Sequence, residues 1–600
     1  MRQSYTRSLV LAARLCERHI MFFKVFAKYL EALENTSGRI EMYRLLGDLF
    51  QKADAEETAQ LAYLCEGRLL PAFAGVETGM GEITIAAAIA AASKRTVEEV
   101  TLASHESGDL GLVAESLSSK TRRGRLAVSD VYESLLRLAR TSGKGSGELK
   151  REQLAALLRL ATPIEARYIV RFTGGRLRLG VAAPTIIESV ARTQEHPAQA
   201  RQIIERAFNL CSDIGLVLST LREHGLDALA AFKVRVGNPV RPMLAERLPS
   251  ADAIIEKIGR CAVEAKLDGF RCQVHLKGGR VEMFSRNLER TTEMFPDLAA
   301  AVKKEIKAKS AIIDGEALAV NEETGEFHPF QVTVQRKRKH KVTEMAEEFP
   351  LVLVAFDLLS VDGKDLTGVG YDARRTRLQK ILTRGGRIRL SDAVVTDTVG
   401  ELQTFFDREV EQGHEGIVAK RLNSGYEPGA RNYNWIKLKR AYRSELSDTV
   451  DVVLIGYLRG RGARARLGIG SLLGAVYDAP TDTFKTIGKI GSGLSEENWI
   501  KLRKLLDEAR VGEKPARVDS RLAPDVWIEP RHVVAVLADE ITRSPVHTAG
   551  QDERGRGLAL RFPRVVGFVR EDKSAEDATT TSEIAEMFAQ QRGAKKTKTK

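Results

Sequence analysis

From residue 21 to about 235, apolar residues recur at spacings of three and four, the period of helices with one buried face. The spacing predicts helices over 22–33, 39–52, 128–140 and 150–160, with another starting near Pro184. Three polar stretches interrupt them: Ser118–Leu126 (SSKTRRGRL), Thr141–Gly147 (TSGKGSG) and the basic turn Arg171–Gly180 (RFTGGRLRLG). Near Val234 the period shortens. Residues 237–243 (GNPVRPM) form a Pro/Gly linker, and beyond it short strands alternate with helices. Residues 272–276 and 280–284 flank Lys277-Gly278-Gly279, the mark of a hairpin. The run 352–359 is apolar throughout except for Asp357. Residues 401–412 read as a helix stopped by Gly413, with a strand at 416–420. Past residue 442, strands at 450–458 and 471–477 with many turn glycines suit a small barrel of roughly 130 residues. A short helix at 582–591 and a basic tail, AKKTKTK, follow.

At roughly 150 residues per domain, 600 residues suggest about four domains. The patterning resolves three: 1–235, 236–441 and 442–572, with a short helix and tail at 573–600. The 93 Lys and Arg against 80 Asp and Glu leave a charge of +13, which suggests a polyanionic partner or an anionic membrane. No window approaches the ~20 apolar residues of a spanning helix. The first twenty residues are Arg-rich and amphipathic with one acid, Glu17. They read as a transit peptide, an extension upstream of a start at Met21, or an ordinary first helix, and the last two are favoured. The five cysteines include no C-x-x-C pair, so a Cys-rich zinc module is excluded. Their sparse, odd number points to a reducing, cytoplasmic location. Cys261 and Cys272 read as small apolar fillers.

The densest chemistry lies in Glu264-Ala-Lys266-Leu-Asp268-Gly269-Phe-Arg271. Lys266 falls in a loop leading into the hairpin. Only about one lysine in a few thousand is unprotonated at pH 7, so a nucleophilic lysine needs burial or neighbouring cations. Asp268 and Gly269 permit a tight turn. By itself this short run is weak, and a solvated surface lysine is the simpler reading. Further segments change the balance: Ser285-Arg286-Asn287, Asp314-Gly315-Glu316 after the β-type run 311–313, Phe356-Asp357, Glu415–Lys420, and Trp435-Ile-Lys437-Leu-Lys439. Each sets an acid or base against an apolar background. Acids for ribose and a divalent metal, bases for phosphates and an aromatic for the base are what a nucleotide pocket requires. Asp357 reads equally well as a buried turn-capping acid or a metal group. Trp435 reads as core packing, and Lys439 as a solvated strand-end lysine. The Gly-Lys at 143–144 fails the phosphate-loop spacing, which leaves a loop able to touch a backbone phosphate.

In order and spacing these segments resemble the motifs of the covalent nucleotidyltransferases, specifically an ATP-dependent DNA ligase of the archaeal and eukaryotic replicative type. The series runs from EAKLDGFR (264–271) through FSRN (284–287), DGE (314–316), FDLL (356–359), EGIVAK (415–420) and WIKLK (435–439) to LRFPR (560–564). RLRLGVA (176–182), PMLA (242–245) and SPVHTA (544–549) extend the likeness along nearly the whole chain.

The resemblance implies a multidomain α+β protein. It has an all-helical DNA-binding domain, an α/β nucleotidyltransferase (ATP-grasp-like) adenylation domain, and a C-terminal OB-fold β-barrel. Lys266 would attack the α-phosphate of ATP to form Lys–AMP. Glu264 would contact the adenine region, Arg271 and Arg286 ribose or phosphate, and Phe356 would stack on adenine. Glu316 would bind ribose hydroxyls or metal, and Glu415 would place Mg²⁺ (Mn²⁺ substituting). Arg431, Lys437 and Lys420 would neutralise phosphate. Arg561 and Arg564 in the barrel would reach the β,γ-phosphates. Arg122, Arg123, Lys144, Arg176 and Arg178 would grip nicked duplex DNA by its backbone.

The implied role is nick sealing in replication, recombination and repair, by a monomer near the nucleoid and away from membranes. Sliding-clamp docking stays open, because no clean clamp peptide occurs near 118–131. An RNA ligase or an mRNA capping guanylyltransferase would lack the helical leader. An NAD-dependent ligase would need the missing zinc module. A non-catalytic DNA clamp with a ligase-like core is opposed by the intact Lys266, Glu316, Glu415 and Lys437.

Overall fold

The computed structural model describes residues 20–597 except 37, 122–123, 176, 178, 323–324, 329–331, 334, 338–340, 440–448 and 461–466, with side chains to 591. Arg122, Arg123, Arg176 and Arg178 therefore lie outside the described residues, as do the first nineteen. The chain divides into two compact units. One holds residues up to Phe208 with Asp213–Phe232; the other holds Asn209–Ser212 with everything from Lys233.

The first unit is helical. Helices Phe23–Glu34, Arg39–Lys52 and Val128–Arg140 follow the apolar period closely. Ser146–Leu160 begins before the expected Lys150: Gly145 takes a left-handed φ of 82° as N-cap, and Glu148 faces the positive end of the helix dipole. The loop is shortened accordingly, and Lys144 is exposed in the turn before the helix. Helix Pro163–Thr173 starts on a proline, with the Glu165 carboxylate accepting from the Thr162 backbone N–H at 2.7 Å. Its Arg167 pairs with Glu115 (2.7 Å) and Glu31 (3.0 Å), and its Arg171 with Glu34 (2.7 Å) and Asp109 (2.6 Å). Those four bridges bind Phe23–Glu34, Leu110–Leu117 and Pro163–Thr173 around the Phe23, Phe26 and Phe172 rings.

The second unit is built on sheets. Its strands are β1 (Leu244–Arg247), β2 (Cys261–Lys266), β3 (Phe270–Lys277), β4 (Arg280–Ser285), β5 (Ser310–Ala319), β6 (Leu351–Val361), β7 (Lys364–Asp365), β8 (Ile388–Leu390), β9 (Ala393–Thr396), β10 (Gly416–Arg421) and β11 (Arg431–Lys439). One sheet has the order β1-β11-β10-β2-β9; the other is β4-β3-β5-β6-β7, with β8 on β6. The β3–β4 turn is the two-residue hairpin expected. Gly278 and Gly279 both take positive φ, 56° and 78°, as the twist of the strands demands. Asp314-Gly315-Glu316 lies inside β5 rather than after a shorter strand, and Lys266 is the last residue of β2 rather than a loop residue. In both cases the ladder with neighbouring strands extends the pairing past the apolar run.

Farther along are β12 (Val450–Arg459), β13 (Ile469–Asp478), β14 (Thr483–Ile490), β15 (Arg510–Val511), β16 (Val518–Asp519), β17 (Val526–Leu537), β18 (Glu540–Ser544), β19 (Gly557–Arg561) and β20 (Arg564–Val569). The main ladder runs β15-β17-β12-β13-β14-β16, with β20 on β17, and β18 pairs β19. The final helix, Thr581–Thr597, is longer than the expected 582–591. The fold is thus a mixed α+β, multi-part architecture with a helical N-terminal region. Among the described residues no helix is long and apolar enough to cross a membrane.

Asp357 is the structural acid of its two readings. It is fully buried on β6, where it receives Arg374 Nε at 2.7 Å and Nη2 at 2.9 Å. Arg374, on helix Tyr371–Ile381, also donates to Ser424 O at 2.9 Å. Asp357→Ala would strand a buried guanidinium, a loss of about 3–5 kcal/mol. Urea unfolding should show a midpoint lowered to match, and an unchanged midpoint would refute the role.

Candidate active site

Strand register sets the centre of the site. Gly416, the first residue of β10, lies opposite Lys266 of β2 on one side and Lys439 of β11 on the other. The preceding Glu415 is thereby caught between two ammonium groups. One carboxylate oxygen takes a short hydrogen bond from Lys266 Nζ, and the other lies 2.6 Å from Lys439 Nζ. Gly416 is required here: its φ is 145°, and a Cβ would come within 2.1 Å of Leu438 O. Burial by itself would raise the Glu415 carboxyl, but the two lysines pull it down to about 2. Lys439 is therefore part of the site, not a solvated strand end.

These groups line a cleft of about 730 Å³. The cleft also receives Glu264, Arg271, Arg286, Glu316, Phe356, Lys420, Arg431 and Lys437, so the segments flagged in the catalytic part of the sequence converge on one place. Arg271 has little freedom. It spans Asp314 through Nε at 3.1 Å and Nη2 at 2.5 Å, and donates to Met243 O at 2.8 Å and Tyr426 OH at 3.1 Å. Lys420 is buried at 2.7 Å from Glu264 Oε2. Its ammonium lies 4.5–4.7 Å from the ring centres of Trp435, Phe356 and Tyr371. Burial lowers its pKa against the pull of Glu264. Trp435 packs edge-on against Phe356 and Tyr426, as a core residue would. It also lines the cleft, and its indole N–H is a buried donor with no partner among the described residues; Arg286 Nε is another. Unsatisfied buried donors in a cleft are places where a ligand acceptor compensates.

The carboxyl-terminal region supplies the rest of the lining. Lys573 pairs with Asp451, and Arg570 holds Asp572 at 2.6 Å; all four reach the cleft. Arg561 and Arg564 do not line it. Arg561 lies over the Phe562 ring at 5.1 Å and Arg564 pairs with Asp539 at 3.1 Å, both on exposed positions. Sequence reasoning missed Glu583. From the final helix it forms a short hydrogen bond with Arg431 Nη1 and lies 3.6 Å from Lys437 Nζ, while Tyr433 OH donates to Glu586 at 3.0 Å. Burial pushes the Lys437 ammonium down to about 8 in spite of Glu583. The sequence pattern marked a short helix there and nothing more; the partner, 152 residues away in sequence, has no local signature.

Conformity to known families follows this geometry. Aromatic rings, lysines and acids gathered in one cleft are the chemistry of a nucleotide-handling enzyme. Residues 22–191 match the DNA ligase N terminus family, 242–439 the ATP dependent DNA ligase domain and 465–573 the ATP dependent DNA ligase C terminal region. A protein described as "Probable DNA ligase" from Dictyoglomus thermophilum is 49% identical over 95% of this chain and 98% of its own length. A DNA ligase from Hyperthermus butylicus is 42% identical over 95% and 98%. The chain belongs to the ATP-dependent DNA ligase family, enzymes that use ATP to form phosphodiester bonds in DNA.

Two outcomes follow from the charges. Glu583→Gln should free Arg431 and Lys437 and lower the ATP concentration for half-maximal self-adenylation by about threefold to tenfold; a rise would show that the helix contact assists the step. Burial lifts the Glu316 carboxyl to about 7, with Lys266 and Arg271 opposing. A raised folded value means its contribution to stability is complete below the unfolded value of 4.5 and is lost as pH rises through about 7. Melting of the ligand-free protein should fall over that window, and Glu316→Gln should flatten the fall; equal slopes would refute the burial assignment.

Proposed function

We propose that Lys266 is the residue that carries AMP, and that the chain seals nicks in duplex DNA in three transfers. The single observation behind this is the placement of Lys266 at a strand end, held by Glu415, in a cleft crowded with cations. The Lys266 nitrogen, after losing a proton, attacks the α-phosphorus of ATP; the bond to the β-phosphate breaks and pyrophosphate leaves. The P–N bond then breaks as the 5′-phosphate of the nick takes the AMP. Finally the 3′-OH, losing its proton, attacks the phosphorus of the nick's 5′-phosphate; the anhydride bond to AMP breaks, the backbone closes and AMP leaves. Phe356 stacks on the base, Glu264 faces its amino edge, and Arg271 with Arg286 serves ribose and phosphate. Lys437, Arg431 and Lys439 balance charge developing on the phosphoryl group, the main lever in such transfers, while Lys420 stays beside Glu264 at the base.

Mg²⁺ belongs in this reading, with Mn²⁺ as substitute. The described residues hold no cluster of three metal-ligating side chains. Magnesium takes one or two carboxylates and completes its shell with water and substrate phosphates. Glu316 and Glu415, both in the lining of the cleft, are the carboxylates that would hold it, and burial is what raises the Glu316 carboxyl, with Lys266 and Arg271 opposing. When bound, the metal lowers the barrier to phosphoryl transfer by neutralising phosphate charge.

The three parts, 1–235, 236–441 and 442–572 with the 573–600 tail, divide the labour. The mostly antiparallel sheet of β12–β17 and β20 fits an OB-fold barrel that clasps DNA, bringing Arg561 and Arg564 to the nucleotide phosphates during adenylation. The helical part grips the DNA backbone, with exposed Lys144 among its contacts. An RNA ligase, a capping enzyme or an inert clamp is not favoured by any feature of the site. Incubation with α-labelled ATP and Mg²⁺ should give an acid-labile label on the protein that Lys266→Ala abolishes. Nicked duplex should then remove it and be sealed. A label that survives Lys266→Ala sinks the nucleophile assignment; a label that never reaches DNA sinks the sealing role.

A further inference from the structure

The Glu264 carboxylate is held on one oxygen from behind the cleft and on the other by Lys420 within it. Its Oε1 accepts from Arg375 Nη1 at 3.0 Å and from Tyr371 OH by a short hydrogen bond; its Oε2 accepts from Lys420 Nζ at 2.7 Å. Tyr371 and Arg375 sit one turn apart on helix Tyr371–Ile381, and neither lines the cleft, so neither can touch a nucleotide in it. Arg375 is itself fixed to Ser391, through Oγ at 2.9 Å and the backbone carbonyl. Tyr371 is fully buried, and Glu264 is 3% exposed at its side chain.

The pair they hold in place has a chemical pattern. Glu264 presents an acceptor and Lys420 a donor, side by side and next to the Phe356 ring. Adenine offers the complement along its edge: an amino donor at C6 beside the N1 acceptor. Guanine offers the reverse, an oxo acceptor at C6 beside an N1–H donor. A carboxylate facing O6 and an ammonium facing N1–H are both mismatched, and buried mismatches of this kind discriminate strongly. Glu264 has three rotatable bonds, so without its outer partners the carboxylate is free to fold wholly onto Lys420 and cancel the pattern.

We infer that Tyr371 and Arg375 are positioning residues that set the preference for adenine over guanine by fixing Glu264 beside Lys420. The inference rests on the reading above, that Lys266 is adenylated and Glu264 faces the base. The experiment is Lys266 self-labelling with α-labelled ATP or GTP and Mg²⁺, over a range of concentrations, in wild type, Tyr371→Phe, Arg375→Met, Arg375→Lys and Glu264→Gln. Melting curves confirm which variants are folded.

Tyr371→Phe and Arg375→Met should raise KM for ATP more than they lower kcat, and cut the ATP-over-GTP preference by about tenfold or more. Arg375→Lys, which keeps the charge and one donor, should recover part of that preference. Glu264→Gln should lose it as well. No labelling of wild type at all would defeat the parent reading. Labelling with the preference intact in Glu264→Gln overturns the base contact, and the inference with it. Loss in Glu264→Gln, but a preference retained in Tyr371→Phe and in whichever Arg375 variant folds, overturns the inference alone. A parallel fall in kcat for both nucleotides, with their ratio unchanged, marks a merely structural role and also overturns it.

Discussion

Cations gathered to receive phosphate repel one another and lose their water, and the second unit folds under that constraint. Seven cations of the cleft are set on carboxylates: Lys266 and Lys439 on Glu415, Lys420 on Glu264, Arg271 on Asp314, Arg431 and Lys437 on Glu583, Lys573 on Asp451. An unpaired charge at these depths would cost several kcal/mol, as broken buried pairs do at about 3–5 kcal/mol. The cleft can therefore exist without a nucleotide. It also means that a bound polyphosphate must exchange with some of these carboxylates, and the partners differ in how easily they yield.

Glu264, Asp314 and Asp357 are part of the sheet framework, with side chains 0–3% exposed and several donors each. They hold their cations in fixed places and do not leave. Glu415 is more open, at 30%, and lies between the two strand-end lysines, where it can share them with an incoming phosphate or metal. Glu583 comes from a separate helix near the end of the chain, so its bond to Arg431 breaks if the helix undocks and no sheet is disturbed. Rigid partners thus surround Lys420 and Arg271, and movable ones surround Lys266, Lys439, Arg431 and Lys437. That gradient suits a site whose base stays put while phosphates depart and DNA arrives.

The elements and their chemistry were legible in the sequence where local rules act. The hairpin at Lys277–Arg280 follows from its glycines, the helix at 399–411 from its period and Gly413, and the strand at 351–361 from its apolar run. Legible too, through the order of the motifs, were the central residues that line the cleft, though not Glu583, while Arg561 and Arg564 stand outside it. Errors fell where neighbours extend a strand: Lys266 and Glu316 joined the ladders of β2 and β5 because pairing partners were available, which no single-strand pattern displays. Lys439 looked solvated because its partner lies on another strand.

By itself the sequence determined which segments are helices and strands, which acids and bases stand against apolar backgrounds, and that they follow one another in a ligase-like order. Composition contributed the excess of positive charge. Tertiary structure alone decided which acid each base meets. Register brought Glu415 between Lys266 and Lys439, helix packing put Tyr371 and Arg375 behind Glu264, and the final helix carried Glu583 to Arg431. The reason is range. Backbone period and turn chemistry act over a few residues, whereas the pairing of charges in the cleft joins positions up to 156 residues apart, and only the closed fold brings them within hydrogen-bonding distance.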